Sequence, residues 1–232
     1  SPQAVIKAVR SLVHICFLDR IGDVQHAIER ELEEREAREK QDDEELGRRW
    51  QQAYRTKDLE DEEQANAYAE ADFSESNTLF VDLFQENFPD FDGVRAVDMG
   101  CGPGDIALRM ARRYDFLHMD GVDGSAAMLS FGRPALAAAG EPGTRVRLVH
   151  GIFPGVELAV GQYDAVISNS LLHHLHQPQV MWSAVRKLGR AGASVLIMDL
   201  KRTRDEEHAR EIVATYAGNE PEVLQVDFYN SL

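Results

Sequence analysis

Residues 97–105 are VDMGCGPGD, and this stretch decides how the rest of the chain is interpreted. Hydrophobic residues precede it and a helical pattern follows it, so it is predicted to form the turn between a strand and a helix. Glycines at positions 100, 102 and 104 allow the backbone to come close to a ligand at that turn. The stretch is therefore the first candidate for a ligand-binding loop.

Phosphate-bearing ligands fit this turn badly. The Gly-Lys-Ser/Thr of a phosphate-binding loop is absent, and a dinucleotide fingerprint would have Gly or Ala where Asp105 stands. A carboxylate near a helix N-terminus opposes a pyrophosphate. Asp98, just before the first glycine, also favours a cationic ligand over an anionic one.

Beyond the turn, hydrophobic runs alternate with helical patterns from about residue 65 onward, beginning with an aromatic-rich helical face that Pro89 ends. The predicted strands are Ala96–Met99, Leu117–Val122, Val146–His150, Ala165–Ser168 and Ser194–Leu200. The predicted helices are Asp105–Tyr114, Ala126–Ala139, Pro178–Leu188 and Asp205–Tyr216. This alternation predicts an α/β fold, with a parallel sheet covered by helices on both faces and ligands bound at the carboxyl ends of its strands.

The N-terminal part has a different character. The 232 residues carry a net charge of −15, of which residues 1–92 hold −13 and residues 93–232 only −2. Apolar spacing over residues 4–32 predicts two helices bent near Arg20–Gly22, and residues 29–49 are charged nearly all round, as in a solvated helix. We divide the chain into an acidic helical extension, residues 1–64, and a binding domain, residues 65–232. The extension is either a solvent-exposed arm or a helix that binds a protein partner or forms a homodimer.

Composition excludes several classes of function. The acidic balance argues against nucleic-acid backbones and anionic membrane surfaces as partners. Two cysteines without metal-finger spacing indicate a reducing, cytoplasmic location. The most apolar N-terminal stretch, Val9–Leu18, is too short and too polar to span a membrane. Because Met99 is the first methionine, we expect the chain to be trimmed, processed or cut from a longer protein.

The glycine stretch resembles the first motif of class I S-adenosylmethionine (SAM) methyltransferases, an acidic residue followed by three alternating glycines. Residues 122–129, VDGSAAML, are similar to the end of that family's second strand, and residues 163–175, YDAVISNSLLHHL, to its fourth strand and active-site loop. Residues 188–199 resemble the turn into strand five. The resemblance covers about residues 65–230 and implies a Rossmann-like fold, SAM as the cofactor and S-adenosylhomocysteine (SAH) as the product.

The resemblance also implies a set of cofactor-binding residues, in which Asp123 holds the ribose hydroxyls and Met128 packs on the adenine. The set is Tyr68, Asp98, Gly100, Cys101, Gly102, Gly104, Asp123, Gly124, Met128, Gly151, Ile152, Asn169 and Ser170. The chain departs from the family twice. Residues 151–153 are apolar where an acidic residue often reads the adenine, and only five strands are predicted, so the two final antiparallel strands are missing.

The loop after the fourth strand bears on the methyl acceptor. Residues 168–171, SNSL, lack the Asn/Asp-Pro-Pro-aromatic pattern of enzymes that methylate nucleobase amines. The Asn-x-Leu-x-His-His pattern of residues 169–174 resembles instead enzymes that act on oxygen, nitrogen or carbon of small metabolites. His173 and His174 are predicted as the catalytic base, with shaping of the cofactor pocket as the alternative role. His173 and His176 have no third ligand, so no metal site is predicted. The basic residues of segment 199–204 either hold an acidic substrate or belong to a solvated loop.

Three other functions stay open. The chain could be a SAM-binding subunit with little chemistry of its own, whose helical arm docks a partner. It could equally be a methyltransferase domain of a larger modular protein. A nicotinamide oxidoreductase fits the alternating pattern but not the residues of the glycine turn.

Overall fold

The computed structural model describes residues 71–175 and 177–232, together with the backbone of residues 13–18. These residues form six strands, β1 Val13–Leu18, β2 Arg95–Met99, β3 His118–Asp123, β4 Val146–His150, β5 Tyr163–Asn169 and β6 Gly189–Leu200. The helices are α1 Ser74–Asn87, α2 Asp105–Arg113, α3 Ala126–Ala138, α4 Glu141–Thr144, α5 Gln179–Leu188, α6 Glu206–Tyr216 and α7 Glu222–Ser231. The predicted α/β fold is confirmed, and each predicted strand and helix from residue 96 to residue 216 is present within a few residues of its expected ends.

The strands form one sheet in the order β1-β6-β5-β2-β3-β4. Strands β2 to β6 are parallel, and each connection returns the chain to the same end of the sheet. Helices lie in the connections from β2 to β3, from β3 to β4 and from β5 to β6, whereas residues 151–162 join β4 to β5 without a helix. The chain begins the parallel part at β2, runs outward to β4, and then returns to β5 on the other side of β2. This reversal between β2 and β5 is where an open parallel sheet leaves a crevice at its carboxyl ends.

Helices cover both faces of the sheet. On one face α1 and α2 bury apolar side chains against alternate residues of the strands, with Phe80 and Phe84 fully buried. On the other face α5 packs Met181, Val185 and Leu188 against the intervening strand residues. Both faces are therefore apolar, which explains why the strands are nearly continuous hydrophobic runs.

The N-terminal segment gives the principal correction to the sequence analysis. Residues Val13–Leu18 form an antiparallel strand against β6, with Val13 opposite Leu200 and Leu18 opposite Val195. The helix expected over residues 4–32 is therefore wrong at these positions. The apolar run 12–18 fits a strand covering a sheet edge as well as it fits a helix stripe, and period alone does not separate the two for so short a run. The domain boundary near residue 64 stays a prediction.

The C-terminal part adds a helix that the sequence analysis did not predict, α7. The backbone amide of Thr203 donates to the carbonyl of Leu232 at 2.9 Å, so the end of α7 lies beside the segment that follows β6. Among the described residues, no helix is both long enough and apolar enough to cross a membrane.

Candidate functional site

The loop after β2 is built by three glycines in the left-handed region. Gly100, Gly102 and Gly104 have φ of 74°, 53° and 82°, values that residues with a Cβ rarely adopt. A Cβ on Gly100 would lie 3.0 Å from the Leu171 side chain, and one on Gly104 would lie 2.9 Å from Leu148. A Cβ on Gly102 would meet nothing within 4 Å. The loop is thus packed on two sides and open at Gly102, where a ligand can approach the backbone.

Asp98 is the penultimate residue of β2, two positions before Gly100. Asp98 is 1% exposed, and its Oδ2 has no hydrogen-bond partner among the described residues. Burial, and then the nearby charge of Asp123, raise the pKa of Asp98 to about 7. Buried polar atoms in folded proteins are normally paired, so this oxygen fits a ligand that brings an N–H donor and a positive charge.

Asp123 ends β3, the strand beside β2. Its Oδ2 accepts a hydrogen bond from the Gly102 amide at 2.8 Å, and its Oδ1 accepts one from the Ser125 amide at 2.7 Å. Burial raises the pKa of Asp123, whereas these two hydrogen bonds and the nearby His150 act in the opposite direction. Each carboxylate oxygen keeps a free lone pair, so the group can still accept from two hydroxyls of a ligand.

The turn after β4 is tied to the end of β3. The Gly151 amide donates to the carbonyl of Asp123 at 3.0 Å, and His150 Nε2 donates to the carbonyl of Gly124 at 2.9 Å. Ile152 follows and is half-buried. The structure thus brings Gly124, Gly151 and Ile152 to the same edge of the sheet as Asp123.

Met128 and Cys101 flank the same region. Met128 is half-buried in the first turn of α3, where its amide donates to the Ser125 hydroxyl at 3.2 Å. Cys101 is buried, and its Sγ lies 2.9 Å from the place that a Cβ on Gly121 would occupy. Burial and the two neighbouring carboxylates raise the pKa of the Cys101 thiol, so it stays protonated and contributes packing and backbone groups.

The loop after β5 packs against the glycine loop. Ser168 Oγ donates to the carbonyl of Met99 at 2.7 Å, which joins β5 to the end of β2. Ser170 has a φ of 58°, and its amide donates to the carbonyl of Met198 on β6. Asn169 between them is half-buried. The loop is therefore held to both neighbouring strands, and Asn169 and Ser170 lie at the carboxyl edge as predicted.

A short 3₁₀ turn, Leu172–His174, follows this loop and carries both predicted bases. His173 Nδ1 lies 2.6 Å from Oδ1 of Asp199, which is near the end of β6, and both side chains are largely buried. The ring of His174 lies 4.0 Å from that of His173, centroid to centroid, and His174 is exposed. The two histidines are therefore not equivalent, because the structure buries His173 against a carboxylate.

Asp199 is the site residue that the sequence analysis missed as a functional group. Its position in the sequence could have identified it, because an acidic residue near the carboxyl end of β6 can reach the loop that follows the neighbouring strand β5. Tyr68, which was expected in the cofactor site, lies outside the described residues, and so does His176, for which no metal-binding role was predicted. Within residues 71–175 and 177–232, no group of three histidine, cysteine or carboxylate side chains could hold a metal ion.

The part of the chain that contains this site is similar to a known protein family. Residues 96–193, from β2 into β6, match a family described as a methyltransferase domain. The matched range contains the glycine loop, both carboxylates and the histidine turn. The remaining parts of the chain, including the acidic N-terminal region, lie outside this match.

Individual proteins show the same similarity over part of their length. An uncharacterised methyltransferase of Mycobacterium tuberculosis is 30% identical over 102 residues, which are 44% of this chain and 48% of that protein. A ubiquinone biosynthesis O-methyltransferase of Acinetobacter baumannii is 30% identical over 130 residues, 54% of this chain and 52% of that protein. The chain thus spans about half the length of the curated relatives it matches. A crystal structure from Methanococcus maripaludis, assigned to an S-adenosyl-L-methionine-dependent methyltransferase, shares the fold with a TM-score of 0.56 and 16% identity, over 73% of this chain and 77% of that one.

Proposed function

We propose that this chain, whose residues 96–193 match a family described as a methyltransferase domain, is a class I SAM-dependent methyltransferase that transfers a methyl group from SAM to a nucleophile on a small molecule. The observation that carries the proposal is the open face of the glycine loop. Gly102 borders free space there, and the loop is flanked by the unpaired oxygen of Asp98 and the carboxylate of Asp123.

The groups present fit SAM. Asp98 supplies an acceptor for the ammonium of the methionine part, and Asp123 supplies two oxygens for the ribose hydroxyls. Gly102 leaves room for the ligand beside the backbone, while Met128 and Ile152 offer apolar contact to the adenine. When bound, SAM supplies a methyl group made electrophilic by its sulfonium charge.

The chain's own contribution to the transfer is positioning and proton removal. Holding both reactants in one crevice replaces an encounter in water with a step between fixed neighbours. His173 accepts the proton that an O–H or N–H nucleophile loses, a role worth about 10²–10⁴-fold in rate in comparable enzymes. His174 lies beside it in the same turn and is the second candidate for this proton.

The acceptor is proposed to be a small metabolite. The loop 168–171 lacks the pattern of nucleobase amine methylation, and a net charge of −15 disfavours nucleic-acid and anionic membrane partners. The similar proteins from Acinetobacter baumannii and Maricaulis maris are named for O-methylation in ubiquinone biosynthesis, which supports a small acceptor here. The free thiol of Cys101 suits the reducing cytoplasm.

Methyl transfer can be tested with SAM and a panel of metabolites that carry hydroxyl, amine or carbon nucleophiles, with SAH formation as the readout. We expect turnover with at least one class of acceptor, and its loss in Asp123→Ala. The change His173→Gln should lower kcat by about 10²–10⁴-fold, whereas His118→Gln, an exposed histidine at the opposite end of the sheet, should not. Equal rates for His173→Gln, His174→Gln and wild type would remove the base from the proposal.

A further inference from the structure

We propose that Asp199 is a positioning residue, which holds His173 with its ring proton on Nδ1 so that Nε2 is the nitrogen that receives the substrate's proton. This inference rests on the proposed function, since His173 needs a defined acceptor nitrogen only if it acts as a base. It adds a residue that touches neither SAM nor substrate and acts through the imidazole.

Asp199 is itself held by three hydrogen bonds. Its Oδ2 accepts from the amide of Leu172 at 2.6 Å, and its Oδ1 accepts from the amide of Leu200 at 2.7 Å and from His173 Nδ1 at 2.6 Å. These donors come from both the loop after β5 and the end of β6. The carboxylate therefore has one position, and the imidazole is bonded to a group that does not move.

The chemistry of the contact sets the position of the ring hydrogen of His173. An ionised carboxylate has only acceptors, so the nitrogen bonded to it must carry the hydrogen. In a neutral imidazole the other nitrogen, Nε2, then has the free lone pair. The side chains of His173 and Asp199 are 14% and 7% exposed, and a charge-assisted hydrogen bond is stronger in such surroundings than in water.

This role of Asp199 differs from a purely structural one. The bond from the Leu172 amide already ties the loop to β6, so a clamp does not need the contact with His173. In Asp199→Asn the amide NH₂ can only donate, so where it faces His173 Nδ1 it favours the tautomer with the hydrogen on Nε2. A base in that tautomer cannot accept a proton through Nε2.

The tautomer can be measured without any substrate. Protein labelled with ¹⁵N-histidine is placed at a pH of about 8.5, two units above the ordinary histidine pKa, and the ring nitrogens are read from long-range ¹H–¹⁵N correlations. His173→Gln identifies the signals. We expect Nδ1–H for His173 in the wild type and a shift toward Nε2–H in Asp199→Asn. An Nε2–H tautomer in the wild type, or an unchanged tautomer in Asp199→Asn, would overturn the inference.

Kinetics give the second readout on the full chain. Asp199→Asn should lower kcat at least about tenfold while KM for SAM changes less than about threefold, and Asp199→Glu should recover part of the loss. The double variant Asp199→Asn/His173→Gln should be no slower than His173→Gln alone, because the two residues act as a unit. Additive losses would assign Asp199 to the loop and not to the base. If Asp199→Asn does not fold, the tautomer of His173 in the wild type alone decides whether Asp199 is a positioning residue. Absence of SAH binding in the wild type would refute the proposed function and would leave the tautomer result unchanged.

Discussion

The amide of Gly102 donates a hydrogen bond to Oδ2 of Asp123 at 2.8 Å, and this bond joins the glycine loop after β2 to the end of β3. The same carboxylate therefore shapes the loop and, in the proposed function, accepts hydrogen bonds from the ligand. Because one oxygen of Asp123 holds Gly102 and the other holds Ser125, a ligand that bonds to this group meets a site that is already formed.

Replacing this carboxylate should weaken cofactor binding strongly. We expect Asp123→Ala to raise the Kd for SAH by about 10- to 100-fold, because hydrogen bonds to a charged group contribute about 1.5–3 kcal/mol each. Asp123→Asn, which keeps an acceptor without the charge, should fall between that variant and wild type. The control is Asp115→Ala, which removes an exposed carboxylate that precedes β3 at the opposite end of the parallel strands. Isothermal titration of all four proteins measures this, and wild-type affinity in Asp123→Ala would contradict the ribose assignment.

Gly102 allows a test in which the control variant also places a Cβ at a positive φ with open space around it. Gly140 also has a positive φ, 69°, and a Cβ there would likewise meet nothing within 4 Å, but it lies before α4 and away from the loop. Gly102→Ala and Gly140→Ala should each lower the free energy of unfolding, because each places a Cβ at a positive φ. Only Gly102→Ala should impair SAH binding, because its methyl group enters the space left for the ligand. Equal affinities in the two variants would place the ligand elsewhere.

The pKa of Asp98 predicts a pH dependence of binding. With that pKa at about 7 in the free protein, Asp98 must be ionised to accept the ligand's ammonium. The affinity for SAH should therefore fall as the pH is lowered from 8 to 6, approaching tenfold per unit below the pKa. Asp98→Asn should bind weakly at every pH and lose this slope. Titrations across that range test the expectation, and a slope equal to that of wild type in Asp98→Asn would contradict it.

The same group predicts the opposite trend for folding. The pKa of Asp98 is raised from 3.8 in the unfolded chain, so the folded state binds the extra proton, and this stabilisation is lost as the pH rises through about 7. Without ligand, Asp98→Asn should gain Tm relative to wild type as the pH rises from 5 to 8. Thermal unfolding of both proteins at several pH values measures the difference. A constant difference would show that Asp98 does not titrate in this window.

The pairing of β1 with β6 predicts that residues 13–18 protect the backbone amides of β6 from hydrogen exchange. Removing residues 1–18 should speed hydrogen exchange of the amides within Val195–Leu200 that pair with β1, and the bared edge should promote association between molecules. Removing residues 1–12 leaves the strand and serves as the control. Exchange in β3, which lies on the other side of β2, should not change. Equal protection of β6 in both shortened chains would argue against the strand.

The parallel core was predictable from the sequence because short segments rich in hydrophobic residues alternate with helical patterns and are bounded by turn residues. The glycine turn indicated the place of the candidate site, and the two carboxylates at 98 and 123 followed from their positions at the carboxyl ends of neighbouring strands. Helix α7 was not predicted, since its pattern is weakly amphipathic and it is half-exposed along much of its length.

Two features depended on contacts between distant parts of the chain. The strand at residues 13–18 resembles a helix stripe locally and is specified by pairing with β6, more than 170 residues later. Asp199 stood in the sequence as the start of a basic loop, and its role depends on a bond to His173 across two strands. Local pattern cannot supply such long-range pairings, which is why His173 and His174 were equivalent candidates before the structure separated them.

The central claim, that the glycine loop with Asp98 and Asp123 binds SAM, is tested most directly by isothermal titration of the wild-type chain with SAH, with NAD titrated in parallel. We predict binding of one SAH per chain, weakened by Gly102→Ala and retained by Gly140→Ala, and no binding of NAD. Binding of NAD in place of SAH, or SAH binding that Gly102→Ala leaves unchanged, would contradict it.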